Sequence, residues 1–339
     1  MKNIFAAVLF SALTILALIS PVQAQEATGS ITILGDSIST GYGLPENELS
    51  YSDYLGEYYG AEVNNFAVNG AETSDLLKRL KEKEVISSAE KADLICVSIG
   101  GNNILGPFTK AAAASGILSG GSLSVQDASA LMDSLSDSLS QAASEAAKSI
   151  PEIKDRLREI NPDANIVFQT VYNPFESSDP AYEEVMKALH AVTAMYIAPI
   201  NKAVKSLDCL NADVCTSVEG NAYNYTNIGK LDIHPNNIGH MVIAGRIINA
   251  AQQNGDGNVF KRQLESISGA SDVISAEDMK MINMAAEPDF EKAVERTAEK
   301  SENIKKEKDG IKVYWIVLPA LAIIIAATAA YCIKKRKSR

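Results

Sequence analysis

Apolar residues are distributed in two alternating patterns over roughly the first 250 positions. Short, nearly unbroken apolar runs occur at Ser30-Ile31-Thr32-Ile33-Leu34, Ala61 to Ala67, Asp93 to Ile99 and Asn165 to Val171. A weaker one follows at Val214 to Val218. These read as five strands, and the run at 93–99 is apolar enough to be buried on both faces. Between them, apolar residues return every three or four positions. That spacing predicts helices over Tyr51 to Tyr59, Thr73 to Glu84, Pro151 to Asn161, and Tyr182 to Leu207. Pro199 breaks or kinks the last of these. Ile238 to Gln253 forms the closing helix, with Ile243, Ile247 and Ala251 on its inward face. Strands alternating with helices predict a parallel, doubly wound α/β sheet of about five strands.

Residues 106–150 interrupt this rhythm. Lys110 and Lys148 bracket an Ala-, Ser- and Gly-rich insertion with no basic residue between them. Ser124-x-x-Asp127 resembles a capping box, and Leu131, Leu135, Leu139, Ala142 and Ala146 form a helical stripe. Ser115 to Gly121 suits a flexible cover over a site. After Gly255 the alternation stops. Residues 256–287 carry short helical fragments, and 288–312 form a mixed-charge stalk, so 256–312 reads as a linker.

The two ends predict the chain's location. Lys2, an apolar stretch from Ile4 to Ile19, and Val22-Gln23-Ala24 form a signal peptide over 1–24, leaving the main domain at 25–255. Val313 to Ile333 has no charged residue, and 21 residues at about 1.5 Å each span about 31 Å, one bilayer core. Tyr314, Trp315 and Tyr331 sit at its borders, and a basic tail follows over 334–339. The expected arrangement is an extracellular domain, a single membrane-spanning helix and a cytoplasmic C-terminus.

Net charge is −11; Lys2 and the five cations of the tail are all basic, so the exported part carries −17. Such a surface disfavours nucleic acid as a partner. Four cysteines are too few for a disulfide scaffold or a zinc cluster. Cys96 lies in an apolar run and Cys332 in the span. Cys209 and Cys215 are the one pair placed to form a disulfide, the alternative being two unpaired thiols.

Each strand tip carries a group suited to acyl transfer. Ser37 follows strand one in Gly35-Asp36-Ser37. Gly70 follows strand two, with its N–H open to a ligand. Asn102, a side-chain amide, follows strand three in Gly100-Gly101-Asn102-Asn103. His234-Pro235 lies in the loop before the last helix. Parallel strands bring such tips together, and serine hydrolysis needs a nucleophile, a base and oxyanion donors.

These blocks, in this order, resemble those of the SGNH hydrolases, the GDSL esterase/lipase family: Gly35-Asp36-Ser37 with Gly41, Asn69-Gly70, Gly100-x-Asn102 and His234-Pro235. The resemblance covers residues 30–253. It implies a flavodoxin-like three-layer α/β/α fold and a serine esterase without metal or cofactor. It also implies Ser37 as nucleophile, His234 as base, and an oxyanion hole from the Ser37 and Gly70 N–H groups and the Asn102 amide. Two departures stand out. Asn103 replaces the family's usual Asp, and Leu231 occupies the position three before the histidine where the acid usually stands. Asp232, two before, is the candidate acid; a Ser37–His234 dyad is the alternative. His190 and His240 read as structural.

The expected activity is hydrolysis of carboxylic esters through an acyl-Ser37 intermediate, at the outer face of a membrane. The substrate is a lipid ester or an acylated sugar. A carbohydrate O-acetylesterase and a catalytically inactive surface binding module are the competing readings.

Overall fold

The computed structural model describes residues 29–114, 125–176, 183–230, 232–253 and 273–290. The expected signal peptide, the segment 115–124, Leu231, most of the linker and stalk, the span 313–333 and the basic tail lie outside these. Among the described residues no helix is long and apolar enough to cross a membrane.

Five parallel strands form one sheet: β1 (Ser30–Gly35), β2 (Glu62–Asn65), β3 (Leu94–Ser98), β4 (Asn165–Gln169) and β5 (Leu210–Ala212). Their order is β2-β1-β3-β4-β5. β1 pairs with β3 from Ile31↔Leu94 to Gly35↔Ser98, and with β2 from Ser30↔Glu62 to Ile33↔Asn65. The chain leaves β1 toward one side and returns on the other, so the crevice at the carboxyl ends of β1 and β3 is the topological switch point. Ser37 follows β1 and Asn102 follows β3.

Both faces of the sheet are covered, which is why its central strands are apolar without alternation. Ile31, Ile33, Leu94, Cys96 and Val167 pack against α1 (Tyr51–Tyr59) and α9 (Asn237–Gln253). Leu34, Ile95, Val97, Ile166 and Phe168 pack on the other face against α2 (Thr73–Arg79), α3 (Lys83–Ala89) and α5 (Val125–Ile160). The result is the expected three-layer α/β/α sandwich. A third cluster lies beyond the sheet, where α5 meets α4 (Gly101–Ala114) and α6 (Glu183–Lys205).

Four local expectations are corrected. Val214–Val218 is a short helix, α7, followed by the one-turn α8 (Ala222–Tyr225), and the fifth strand is Leu210–Ala212. Asp213 decides this: its carboxylate accepts the Thr216 N–H at 3.3 Å and the Thr216 hydroxyl at 2.9 Å, an N-cap that turns the chain into a helix. The expected helix over 73–84 is two, α2 and α3, with turns between Arg79 and Lys83. Pro151 does not start a helix but lies inside α5. An interior proline costs about 3 kcal/mol. Leu135, Leu139, Ala143 and Ala146 are buried in one cluster before it, and Ile150, Ile153 and Leu157 in another around and after it. Full burial of each large side chain contributes about 1.5–3 kcal/mol, which outweighs that cost. Cys209 and Cys215 are separate thiols. The first packs on the sheet-face cluster with Leu34 and Ile95, the second on the cluster with Ile104 and Ile197, so the expected disulfide is not formed.

The packed unit also reaches beyond residue 255. Helix α10 (Ala276–Ala286) lies on α9, with Ile282 and Ala285 fully buried. Arg246, only 6% exposed, donates from Nη1 to the carbonyls of Ala285 and Glu287, both at 3.1 Å. Asn249 donates to the carbonyl of Ala286 at 2.7 Å. The guanidinium thus meets the negative end of the α10 dipole and its unpaired carbonyls. Arg246→Leu should lower unfolding free energy by about 3 kcal/mol, because buried carbonyls left unpaired cost about 1–3 kcal/mol each. The urea midpoint reads this; a change below about 0.5 kcal/mol would place α10 outside the cooperative unit.

Candidate functional site

The site begins where β1 ends. Asp36 N–H donates to Ser98 O at 3.2 Å, which carries the β1–β3 ladder one residue past the strand. Gly35 turns there with φ +147°, and a Cβ on it would stand 2.1 Å from Ser98 O and 2.7 Å from Ser39 Oγ. Only glycine fits. The chain then coils over Ser37 to Gly43 in successive turns, with Ser39 and Thr40 N–H both donating to Asp36 O at 3.1 and 3.2 Å. The Asp36 side chain accepts the Ile38 N–H at 3.0 Å. Burial pushes its carboxyl up to about 7, against that hydrogen bond and the neighbouring His234.

Ser37 is half-buried at the crevice. Its Oγ lies 3.0 Å from His234 Nε2. On the far side of the ring, His234 Nδ1 lies 2.5 Å from Asp232 Oδ1. The same carboxylate oxygen accepts the His234 backbone N–H at 3.0 Å. This tight Asx-type turn lets an acid two residues before the histidine reach its ring. Burial opposes ionisation of Asp232, but the hydrogen bond and charge of His234 prevail and hold its pKa below the usual carboxylate range. An ionised Asp232 keeps the ring proton on Nδ1, so Nε2 presents a lone pair to the Ser37 hydroxyl.

The histidine loop is fastened at its neck and beside its ring. Asn227 N–H donates to His234 O at 2.9 Å, and Asp232 N–H donates back to Asn227 O at 3.2 Å. The Tyr172 hydroxyl donates to Ile233 O at 2.7 Å. Tyr42 packs against the imidazole, ring centroids 4.7 Å apart. Tyr172, Tyr42 and Asn227 were not legible as site residues, since nothing in their local sequence marks a contact made only after folding.

The oxyanion candidates converge through one another. The Asn102 amide donates to Ala71 O at 3.0 Å, leaving a second N–H on the same nitrogen. Asn69 accepts from the Thr40 hydroxyl at 2.5 Å. Gly70 is therefore held between a residue fixed to the Ser37 loop and one fixed to Asn102. Its φ is +81°, in the left-handed region that favours glycine, and a Cβ on it would meet nothing within 4 Å. Neither Ser37 N–H nor Gly70 N–H has a partner among the described residues. Asn103, which departs from the expected Asp, is buried and accepts the Thr73 N–H at 3.1 Å, fastening the start of α2.

The other two histidines are structural. His240 is fully buried and accepts the Tyr51 N–H on Nδ1 at 3.1 Å; burial pushes its pKa down to about 3. His190 pairs with Glu219 at 3.0 Å, which raises its pKa. No three His, Cys, Asp or Glu side chains gather as a metal site among the described residues.

Beside Ser37 and Asn102 opens a cavity of about 100 Å³. Its walls are Ile104, Leu105 and Phe108 from α4, Val171, Pro174 and Phe175 after β4, and Ile197 from α6. A hydroxyl on an imidazole, a carboxylate behind that ring, open N–H donors and an apolar recess together suit acyl transfer. Asp232→Asn should cut kcat for an activated ester by up to about 10⁴-fold, as when the wrong tautomer is held. His234→Ala, assayed alongside, sets the floor. Activity of Asp232→Asn within a few-fold of the parent would reduce the machinery to a Ser37–His234 dyad.

Residues 33–242 match the family model described as GDSL-like Lipase/Acylhydrolase family. A Bacillus subtilis (strain 168) protein, the uncharacterized protein YpmR, is 23% identical over 239 residues, covering 66% of this chain and 82% of its own. Among solved structures, the lipase Lip_vut3 from a goat rumen metagenome is 22% identical, with TM-score 0.49, over 68% of this chain and 99% of its own. The acetylxylan esterase Axe2 from Geobacillus stearothermophilus is 15% identical, with TM-score 0.41, over 66% and 93%. The family match spans β1 through the middle of α9, including all four blocks that carry Ser37, Gly70, Asn102 and His234, and on it the chain belongs to the GDSL-like lipase/acylhydrolase family, the carboxylic ester hydrolases.

Proposed function

We propose that this protein is a membrane-anchored, extracytoplasmic serine esterase acting on esters whose acyl group is longer than acetyl. The observation that carries the reading is the apolar cavity directly beside Ser37 and Asn102. An acetyl group leaves such a recess empty, whereas an alkyl chain buries apolar surface at about 25 cal/mol per Å².

In this mechanism Ser37 Oγ attacks the ester carbonyl carbon while His234 Nε2 takes its proton. Asp232 stabilises the imidazolium that results. The carbonyl oxygen becomes an anion, received by the Ser37 and Gly70 N–H groups and the free N–H of Asn102. Collapse expels the alkoxide, which takes the proton from His234. Water, deprotonated in turn by His234, then attacks the acyl-serine carbonyl; collapse breaks the acyl–Oγ bond, Ser37 takes the proton from His234, and the carboxylic acid is released.

The test is a p-nitrophenyl ester series from acetyl to palmitoyl on the purified chain. kcat/KM should rise from acetyl to a medium chain by at least about tenfold, which is about two methylenes at about 0.8 kcal/mol each. Ser37→Ala should abolish both turnover and covalent labelling by a fluorophosphonate. A maximum at acetyl would favour the sugar O-acetylesterase reading; no labelling of Ser37 would leave a binding module.

The anchored, outward-facing arrangement is supported by the sequence at both ends: the signal-like start, the uncharged run 313–333 and the basic flank 334–339. Protease added to intact cells should release an active fragment ending before Val313. A protected catalytic domain with an accessible Arg339 would reverse the orientation.

A further inference from the structure

Two side chains in the cavity lining are buried with an unpaired polar atom, Gln169 Nε2 at the end of β4 and Thr193 Oγ1 on α6. Thr193 lines the cavity among Ile104, Phe108, Val171, Phe175 and Ile197. It is 6% exposed, and its hydroxyl has no hydrogen-bond partner among the described residues. A helical threonine ordinarily returns its hydroxyl to the carbonyl four residues back. Here that bond to Leu189 is not made. A buried hydroxyl without a partner costs about 1–3 kcal/mol, and valine would fill the same volume without that cost.

The position along α6 places this hydroxyl relative to the end of β3. Ile200, on the same helix, packs against the end of β3, where a Cβ on Gly100 would lie 3.1 Å from its Cγ2. Ile197 is the next lining residue and Thr193 the one after. Seven residues at about 1.5 Å put Thr193 about 10 Å further along the helix than the residue nearest the oxyanion loop. Thr193 therefore lines a part of the α6 wall farther from the end of β3 than Ile197 does.

We infer that the acyl pocket is built for an oxygenated chain: Thr193 hydrogen-bonds a hydroxyl or keto oxygen carried on the alkyl part of the acyl group, remote from the ester. This rests on the esterase reading and narrows its substrate class. The walls take the methylenes, and Thr193 reads the one polar group among them. Discrimination follows from the difference between a hydroxyl paired by substrate and one left unpaired against a plain chain.

The experiment uses the full chain and p-nitrophenyl esters of one medium-length acid. The plain acyl ester is compared with derivatives in which a single hydroxyl is moved one carbon at a time along the distal half. The parent should prefer one position over the plain ester by about tenfold in kcat/KM, the range of one to two kcal/mol for a hydrogen bond gained in a buried site. Thr193→Val should invert the ratio, weakening the hydroxylated ester and improving the plain one; Thr193→Ser should keep the preference. Fluorophosphonate labelling of Ser37 in every variant shows that each is folded and has its site assembled. A parent that hydrolyses the plain ester with no positional preference, or a Thr193→Val that keeps the preference, overturns the inference and leaves the esterase standing. A parent whose Ser37 neither labels nor turns over any ester overturns both.

Discussion

One carbonyl oxygen fixes the geometry of the site. Ser98 O, at the end of β3, occupies the space a side chain on residue 35 would need. It also accepts the Asp36 N–H, so β1 stays fastened to β3 while the chain begins to turn. The serine is thereby delivered two residues beyond the ladder, on a loop whose amides already point inward to Asp36 O. Any side chain at position 35 would separate β1 from β3 and move Ser37 off the line to His234. Because Ser98 belongs to the strand that leads to Asn102, one backbone contact sets Ser37 and Asn102 relative to each other.

From that contact the rest of the site is joined by short bonds between loops and the first turns of helices, not by the sheet. Thr40 reaches Asn69, Asn102 reaches Ala71, and Asn103 reaches Thr73. These three bonds connect the segments that follow β1, β2 and β3 across the switch point. The histidine arrives from elsewhere in the chain, and its loop is closed on itself through Asn227 before Tyr172 clamps Ile233. Preorganisation of this kind matters because donors held in place need not reorganise as charge develops.

What could be read from the residues follows the range of the forces involved. β1, β3 and β4 were legible because burial on both faces leaves a short, nearly continuous apolar run, bounded by turn residues and rich in β-branched side chains. The last strand was misread because Val214 to Val218 has β-branched residues in sequence, while the deciding group, Asp213, acts through a side-chain cap. The break between α2 and α3, and the continuity of α5 through Pro151, depend on packing against distant residues. The same holds for α10, whose attachment by Arg246 and Asn249 has no local mark. In the site, Ser37, Gly70, Asn102 and His234 stood in recognisable blocks. Tyr42, Tyr172 and Thr193 did not, since each is defined by what folding places against it.

The acid shows how a departure in spacing can leave the chemistry intact. Moving a carboxylate one residue closer to the histidine shortens the loop and restricts where its oxygens can lie. Here Oδ1 satisfies the shorter path by taking two donors from a single residue, the N–H and the ring of His234. The backbone bond positions the carboxylate, and the carboxylate positions the ring. Its cost is partial burial of a charge, which raises the energy of the ionised form; the hydrogen bond and charge of His234 more than offset it. The orientation of the His234 ring is thus set within three consecutive residues, and the remainder of the fold has only to bring that unit to Ser37.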